Sequence, residues 1–174
     1  MTGAEPVEAQ SIATNGVEAV TPWAEAQKRL AEVEKYWQAT VRPDGRPHLI
    51  PHFAVWLEGA LYFTANNDTR KARNLAQNPR CVIAGAAEGL DLIVEGSATR
   101  VTDAATLRRV AEAYANKYGW QLTVRNGAYN APFGAPSAGL PPYDLYELRP
   151  ETAFGLGTSE PYGATRWRFQ TGHE

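Results

Sequence analysis

The residues with the clearest chemical potential follow an apolar strand and open a short helix. Thr69, Arg70 and Lys71 begin this helix, directly after the polar segment 65–68. The free N–H groups and positive dipole end of a helix N-terminus favour an anion, and two cations add charge-assisted hydrogen bonds. The pattern therefore indicates a phosphate pocket. A capped surface helix with solvated cations is the alternative, and either interpretation places both cationic side chains at the surface.

Two histidines and one cysteine offer other chemistry. His48 and His52 lie four residues apart in a predicted strand, which separates them by roughly 13 Å, too far to share one metal. No Cys/His cluster completes a metal site, so we expect no bound metal. Cys81 starts an apolar strand and is interpreted as a small core residue. Without an evident nucleophile, the chain fits chemistry that is carried by a cofactor.

An antiparallel meander precedes the short helix and must position it. The turn signal Arg42-Pro43-Asp44-Gly45 separates a strand ending near Val41 from a longer strand, Pro47 to Leu57. A second turn at Glu58-Gly59 leads into a strand over Ala60 to Thr64.

Three helices and five later strands complete the pattern. One helix starts at Thr21-Pro22, the short helix covers 69–78, and a third begins after Thr102-Asp103 and ends at Gly119. Gly96 predicts a bulge or a close backbone approach within its strand. A run of hairpins with helices at the margins predicts an α+β fold built on a small antiparallel barrel. The later strands are expected over 80–85, 91–101, 143–148, 153–156 and 165–169.

Length and composition predict one domain. Of the 174 residues, 44% are apolar and 21% are charged, which suits a single globular core. Residues 1–20 are small, polar and acidic and are expected to form a mostly disordered tail, with the folded domain over 21–174. The segment 120–142 is rich in Gly and Pro without a clear period, so it is interpreted as a long functional loop, a lid or a dimer contact.

The net charge and the cysteine content limit which partners and which cellular location the sequence allows. The net charge of −2 argues against nucleic-acid binding, and no apolar run approaches the roughly 20 residues of a membrane helix. A single cysteine allows no internal disulfide, and the first residues lack a signal-peptide pattern. We therefore expect a cytoplasmic protein.

The order of these motifs resembles the flavin-binding split-barrel superfamily, which includes pyridoxamine 5′-phosphate oxidase and the F420-dependent reductases of actinobacteria. The similarity extends from about Trp23 to Phe169 and implies a six- to eight-stranded antiparallel split β-barrel with peripheral helices. The motifs that carry it, in chain order, are Asp44-Gly45-Arg46-Pro47-His48, Leu61-Tyr62-Phe63-Thr64, Thr69 to Leu75 with Asn78-Pro79, and Leu92 to Gly96 before Thr102-Asp103.

The resemblance implies a homodimer with F420 or FMN bound at the subunit interface. Arg70 and Lys71 would hold the cofactor phosphate, with Thr69 and Asn74 assisting. Arg166 and Trp167 resemble a C-terminal segment that family members place near the cofactor, although Trp167 fits a core aromatic equally well. The cofactor ring would be edged by six residues: Ile50, Pro51, His52, Phe53, Thr64 and Ala65.

The implied activity is hydride transfer between F420 or FMN and a small conjugated or aromatic substrate. The alternatives are a non-enzymatic flavin- or haem-binding carrier or sensor, and a pyridoxamine phosphate oxidase. Family oxidases of the last kind have Arg-Leu-x-Pro after the tryptophan, whereas Trp167 precedes Arg168-Phe169-Gln170. F420 is slightly favoured over FMN because its acidic tail requires further cations, and the composition resembles that of actinobacterial proteins. The candidate cations are Arg42, Arg46, Arg73, Arg166 and Arg168.

Overall fold

A computed structural model describes residues 5–132 and 139–170. Within them, three helices cover Trp23–Glu32 (α1), Arg70–Gln77 (α2) and Ala104–Tyr118 (α3). The twelve strands are Glu8–Ser11 (β1), Tyr36–Val41 (β2), Pro47–His52 (β3), Ala54–Leu57 (β4), Ala60–Ala65 (β5), Arg80–Ala87 (β6), Leu90–Val101 (β7), Thr123–Arg125 (β8), Ala128–Asn130 (β9), Asp144–Leu148 (β10), Thr152–Gly157 (β11) and Ala164–Arg168 (β12). None of the described helices is long and apolar enough to span a membrane.

Ten strands form one antiparallel sheet that is organised around the long strand β7. The N-terminal half of β7 pairs with β11 and its C-terminal half pairs with β10, while β6 lies along its other edge. From β10 the sheet continues to β5 and β4, and from β6 it continues to β2 and β3. The terminal strands β3 and β4 do not pair with each other, so the barrel is split rather than closed.

Gly96 lies where β7 stops pairing with β11 and starts pairing with β10, and the backbone of Arg149 leaves no room there for a side chain. A Cβ atom at this position would lie 2.4 Å from the backbone oxygen of Arg149. The close backbone approach that the sequence predicts at Gly96 is therefore confirmed.

The α+β class and the antiparallel split barrel are confirmed, but the described residues form twelve strands, ten of them in the barrel sheet, where six to eight were expected. The predicted strand Pro47 to Leu57 is interrupted at Phe53, because β3 pairs with β2 whereas β4 pairs with β5. Pro51 has no N–H group to donate to a further strand, which suits the edge position of β3.

Two segments that were expected to lack regular structure contain the other additional strands. The prediction of a disordered tail is wrong for Glu8–Ser11, which pair with β12 because that strand otherwise has a free edge. The predicted loop 120–142 contains the hairpin β8–β9, whose turn residues Asn126 and Gly127 have positive φ angles of 54° and 72°. An Asn-Gly turn is a strong local signal for a hairpin, so this strand pair is readable from the sequence. Residues 133–138 of this loop lie outside the described residues.

Two apolar clusters position the sheet and its helices. The first lies under α1 and includes Trp23, Phe63 and the fully buried Trp167. The second packs α3 against β4, β5 and β10, with Tyr114, Trp120 and Tyr143 among its members. Because Phe63 and Trp120 contribute to these clusters, the strand and helix ends next to them are held in fixed positions.

Candidate functional site

A cleft of about 530 Å³ lies where β3, the end of β5 and the start of α2 meet. It brings together nine of the twelve cofactor-binding residues that the sequence predicts. Its lining consists of Lys35, His48, Ile50, Pro51, His52, Phe53, Thr64, Ala65, Asn66, Thr69, Arg70, Lys71 and Trp120. None of these side chains is acidic, so the cleft carries an uncompensated positive charge.

The start of α2 forms one end of this cleft. Thr69 is the N-cap, and its Oγ1 accepts a hydrogen bond of 3.4 Å from the backbone N–H of Ala72. The N–H groups of Arg70 and Lys71 belong to the first turn, where a helix supplies no carbonyl partner. Arg70 is exposed at the rim of the cleft. This end therefore offers backbone donors, a hydroxyl and two cations to an anion.

Lys71 is buried, contrary to the expectation that both cations lie at the surface. Its side chain is 8% exposed, and Nζ lies 5.8 Å from the centre of the Phe63 ring. The reason is its position in α2, since it shares the helix face that packs on the sheet with Asn74 and Leu75. Burial lowers the pKa of Lys71 to about 8. No carboxylate pairs with it in the described part of the chain, so the ammonium group lacks a counter-ion.

The two histidines of β3 point to the same side of the strand and both line the cleft. Burial, followed by the charge of Lys71, holds the pKa of His52 well below its usual value. Its Nε2 atom is buried without a hydrogen-bond partner among the described residues, and its ring meets Phe63 edge-on at 5.3 Å. His52 is therefore a neutral ring next to the buried cation.

His48 lies close to three cations. Burial first, and then the charges of Arg42, Arg70 and Lys71, lower its pKa. Of the five further arginines that the sequence suggests for an anionic tail, Arg42 is thus the one whose charge acts on a residue of the cleft. The others are placed differently: Arg46 pairs with Asp44 at 2.7 Å and Arg168 with Glu8 at 3.3 Å, Arg166 donates to Gln10, and Arg73 does not line the cleft.

Apolar and aromatic groups form the other walls. Ile50 and Pro51 come from β3, and Phe53 stacks on Tyr118 with ring centres 4.4 Å apart. Thr64 and Ala65 end β5 and are almost fully buried. Trp120 follows the Gly119 cap of α3, and its indole N–H is buried without a hydrogen-bond partner in residues 5–132 and 139–170. These walls suit a flat, largely apolar ring.

Four lining residues were not among the predicted cofactor contacts: Lys35, His48, Asn66 and Trp120. Two of them could have been found from the sequence. His48 shares a strand face with Ile50 and His52, and Asn66 directly follows Ala65. Lys35 and Trp120 enter the site through the packing of α1 and α3, which no local pattern reveals.

Three predicted site residues do not line the cleft of their own chain. Asn74 is fully buried on the face of α2 that packs on the sheet, where its Nδ2 donates to Oγ1 of Thr40 over 2.9 Å. Arg166 bonds to β1 through Gln10. Trp167 is a core residue, as the alternative interpretation had it, with its ring centre 5.2 Å from that of Trp23. The two β12 residues are therefore part of the scaffold within one chain.

The arrangement can bind a planar ring that carries a phosphate. The anion would sit at the positive end of the cleft beside α2, and the ring would lie on the apolar walls. The described residues contain no group of three or more His, Cys, Asp or Glu side chains that could hold a metal ion.

Comparisons with known proteins agree with this geometry. Residues 23–157 match the family model described as pyridoxamine 5′-phosphate oxidase. Similar solved structures include an F420 reductase (22% identity, TM-score 0.52, covering 73% of this chain and 94% of that one) and a FAD-binding protein from Mesorhizobium loti (12%, 0.57, 92% and 97%). A haem-binding protein from Mycobacterium smegmatis is also similar (18%, 0.62, 84% and 59%). At these identities the structures show a shared fold. No curated protein sequence matches the chain.

Proposed function

Since the chain belongs to the pyridoxamine 5′-phosphate oxidase family, we propose that its cleft binds F420 or FMN and that the protein is an oxidoreductase. It would transfer a hydride between this cofactor and a small conjugated or aromatic substrate. The observation that carries the proposal is the buried, unpaired cation of Lys71, which lies between a helix N-terminus and an apolar wall. A buried charge without a partner is costly, and a bound phosphate would compensate it.

Each part of the cleft has a defined task in this proposal. Arg70, Lys71 and Thr69 would hold the phosphate, and Ile50 and Pro51 would support one face of the ring. The bound cofactor supplies the hydride chemistry, while the protein contributes binding, orientation and electrostatics. His52 is neutral, so it adds no further positive charge next to the ring. The apolar walls would exclude water from the reacting face.

The preference for F420 over FMN rests on the third cation. F420 carries carboxylates beyond its phosphate, and Arg42 acts on the same histidine as Arg70 and Lys71. The Nε atom of Arg42 is buried and has no hydrogen-bond partner within the described part of the chain. A cluster of cations of this kind attracts a polyanion more strongly than a single phosphate.

A non-enzymatic carrier is the second candidate, and a structural neighbour named as a haem-binding protein favours it. Haem would require an axial ligand, and the unpartnered His52 Nε2 is a suitable group. Pyridoxamine phosphate oxidation is disfavoured by the residues that follow Trp167.

We propose a cytoplasmic location for the activity, because the chain has one cysteine and it is free and buried.

The proposal includes a homodimer with the cofactor at its interface. The outer face of the β2–β3 hairpin is apolar and exposes Trp37 (43%) and Leu49 (60%). Pro51 belongs to this face and also lines the cleft. Patches of this kind mark interaction sites, and a second copy seated here would cover the open side of the site. The residues of this surface, called the hairpin face below, are Trp37, Ala39, Val41, Pro47, Leu49 and Pro51.

Titration of the cofactor-free protein with F420 and with FMN, each at two salt concentrations, tests the proposal. We expect F420 to bind more tightly and its affinity to fall more steeply with salt, because its tail carries more charge. Consumption of reduced F420 by a conjugated acceptor would then identify an enzyme rather than a carrier. Tighter binding of FMN would reverse the preference, and binding of neither cofactor would refute the proposed function.

The affinity for FMN should also depend on pH through Lys71. The pKa of Lys71 is lowered to about 8, so its charge is present below pH 8 and is lost as the pH rises. Both cleft histidines stay neutral across this range, because burial and the neighbouring cations lower their pKa values. We expect the affinity to begin to fall between pH 7 and 8, by about twofold, and to be up to about tenfold lower by pH 9.5. Titrations at constant ionic strength measure this, with Lys71→Met as the control that should show no pH dependence.

A further inference from the structure

A chain of buried side chains connects α2 to the cleft through His48. Asn74 on α2 and Thr40 on β2 are both almost completely inaccessible to solvent. Nδ2 of Asn74 donates to Oγ1 of Thr40 over 2.9 Å, and Oγ1 of Thr40 lies 3.4 Å from Nδ1 of His48. His48 is the last member of the chain and the only one that lines the cleft.

The hydrogen bonds of this chain favour one tautomer of His48. Oγ1 of Thr40 accepts from Nδ2 of Asn74, which leaves the hydroxyl hydrogen free to be donated to Nδ1 of His48. A neutral imidazole has one acceptor and one donor nitrogen. When Nδ1 accepts, Nε2 must carry the hydrogen. In the described part of the chain, the hydrogen bond at Nδ1 is the only one that the ring makes.

The surroundings of His48 explain why a neutral donor is useful there. His48 lines the same cleft as Arg70 and Lys71, and the charges of these two residues and of Arg42 disfavour a further positive charge on its ring. A neutral N–H group can still donate to an anionic oxygen, and a hydrogen bond to a charged acceptor is stronger than one between neutral groups. It also has a defined direction, which a cationic side chain on a flexible stem lacks.

We propose that Thr40 and Asn74 are positioning residues that hold His48 in its Nε2-protonated tautomer, so that His48 donates a hydrogen bond to an anionic oxygen of the ligand bound at the start of α2. This inference rests on the proposed function for the identity of the ligand. It does not require that ligand for the tautomer, which is a property of the free protein.

The tautomer is measured directly by long-range ¹H–¹⁵N correlation NMR of the ¹⁵N-labelled full chain at pH 7.5. The chain has three histidines, and loss of one signal set in His48→Gln assigns the ring. We expect an unprotonated Nδ1 and a protonated Nε2. Thr40→Val should give a mixture of tautomers, whereas the exposed strand variant Thr99→Val should leave the spectrum unchanged. A protonated Nδ1 in the native chain would overturn the proposal.

Titration with inorganic phosphate tests the donor itself. We expect His48→Ala to weaken phosphate binding about tenfold, and His48→Gln, whose amide can donate from a similar position, to weaken it less. Thr40→Val should show an intermediate loss. Unchanged phosphate affinity in His48→Ala would refute the inference. Phosphate binding that depends on His48, in a protein that binds neither FMN nor F420, would leave the inference standing and refute the proposed function.

Discussion

Replacement of Arg70 and Lys71 by alanine should reduce the affinity for F420 or FMN about 100-fold or more. A charged hydrogen bond contributes about 1.5–3 kcal/mol, which corresponds to roughly tenfold or more per residue. Because the two cations serve one phosphate, their effects need not add. Fluorescence titration of each single variant and of the double variant measures the loss.

The controls separate charge from packing. Lys71→Met keeps the buried stem next to Phe63 and removes only the ammonium group. It should therefore match Lys71→Ala in affinity while remaining more stable to heat. Arg73→Ala removes a cation of the same helix that does not line the cleft, and it should bind the cofactor normally. Native affinity in the double variant would show that the phosphate does not lie at the start of α2.

Introducing charge on the hairpin face should dissociate the proposed dimer into monomers. Trp37 and Leu49 are the most exposed large side chains of this face, and buried tryptophans in interfaces commonly contribute at least about 2 kcal/mol each. In Trp37→Asp/Leu49→Asp we expect the dimer dissociation constant to rise about 100-fold or more. Light scattering at micromolar concentration measures the oligomeric state. Cofactor affinity should fall in parallel, since Pro51 connects this face to the cleft.

An apolar residue outside the hairpin face provides the matched comparison. Leu156 on β11 is 38% exposed, and Leu156→Asp should remain dimeric. Both replaced residues of the test variant point outward, so circular dichroism should show an intact fold. A native chain that is monomeric at micromolar concentration, or a double aspartate variant that remains dimeric, would contradict the proposed interface and the shared cofactor site.

The sequence by itself determined the class of fold and the start of α2. Period, capping residues and turn signals act over a few residues, so they defined most strands and all three helices within a few positions. The Thr69 cap followed by two cations was legible for the same reason. The order of these local motifs was sufficient to indicate the family that the profile match establishes.

Local patterns did not reveal pairings between distant segments. β1 is a strand because the edge of β12, more than 150 residues away, supplies its hydrogen bonds. The strand is interrupted at Phe53 because β3 pairs with β2 whereas β4 pairs with β5. The Asn126-Gly127 turn is the exception, since its signal is local and was present in the sequence.

The chemical state of the site was decided by the tertiary structure. The sequence shows two adjacent cations, but packing of α2 on the sheet buries Lys71 and leaves Arg70 exposed. The pKa of Lys71 is lowered because desolvation depends on the surrounding elements and not on neighbours in the chain. In the same way, His48 is a possible ligand in the sequence. It becomes a directed donor only where Thr40 of β2, itself held by Asn74 of α2, meets its ring.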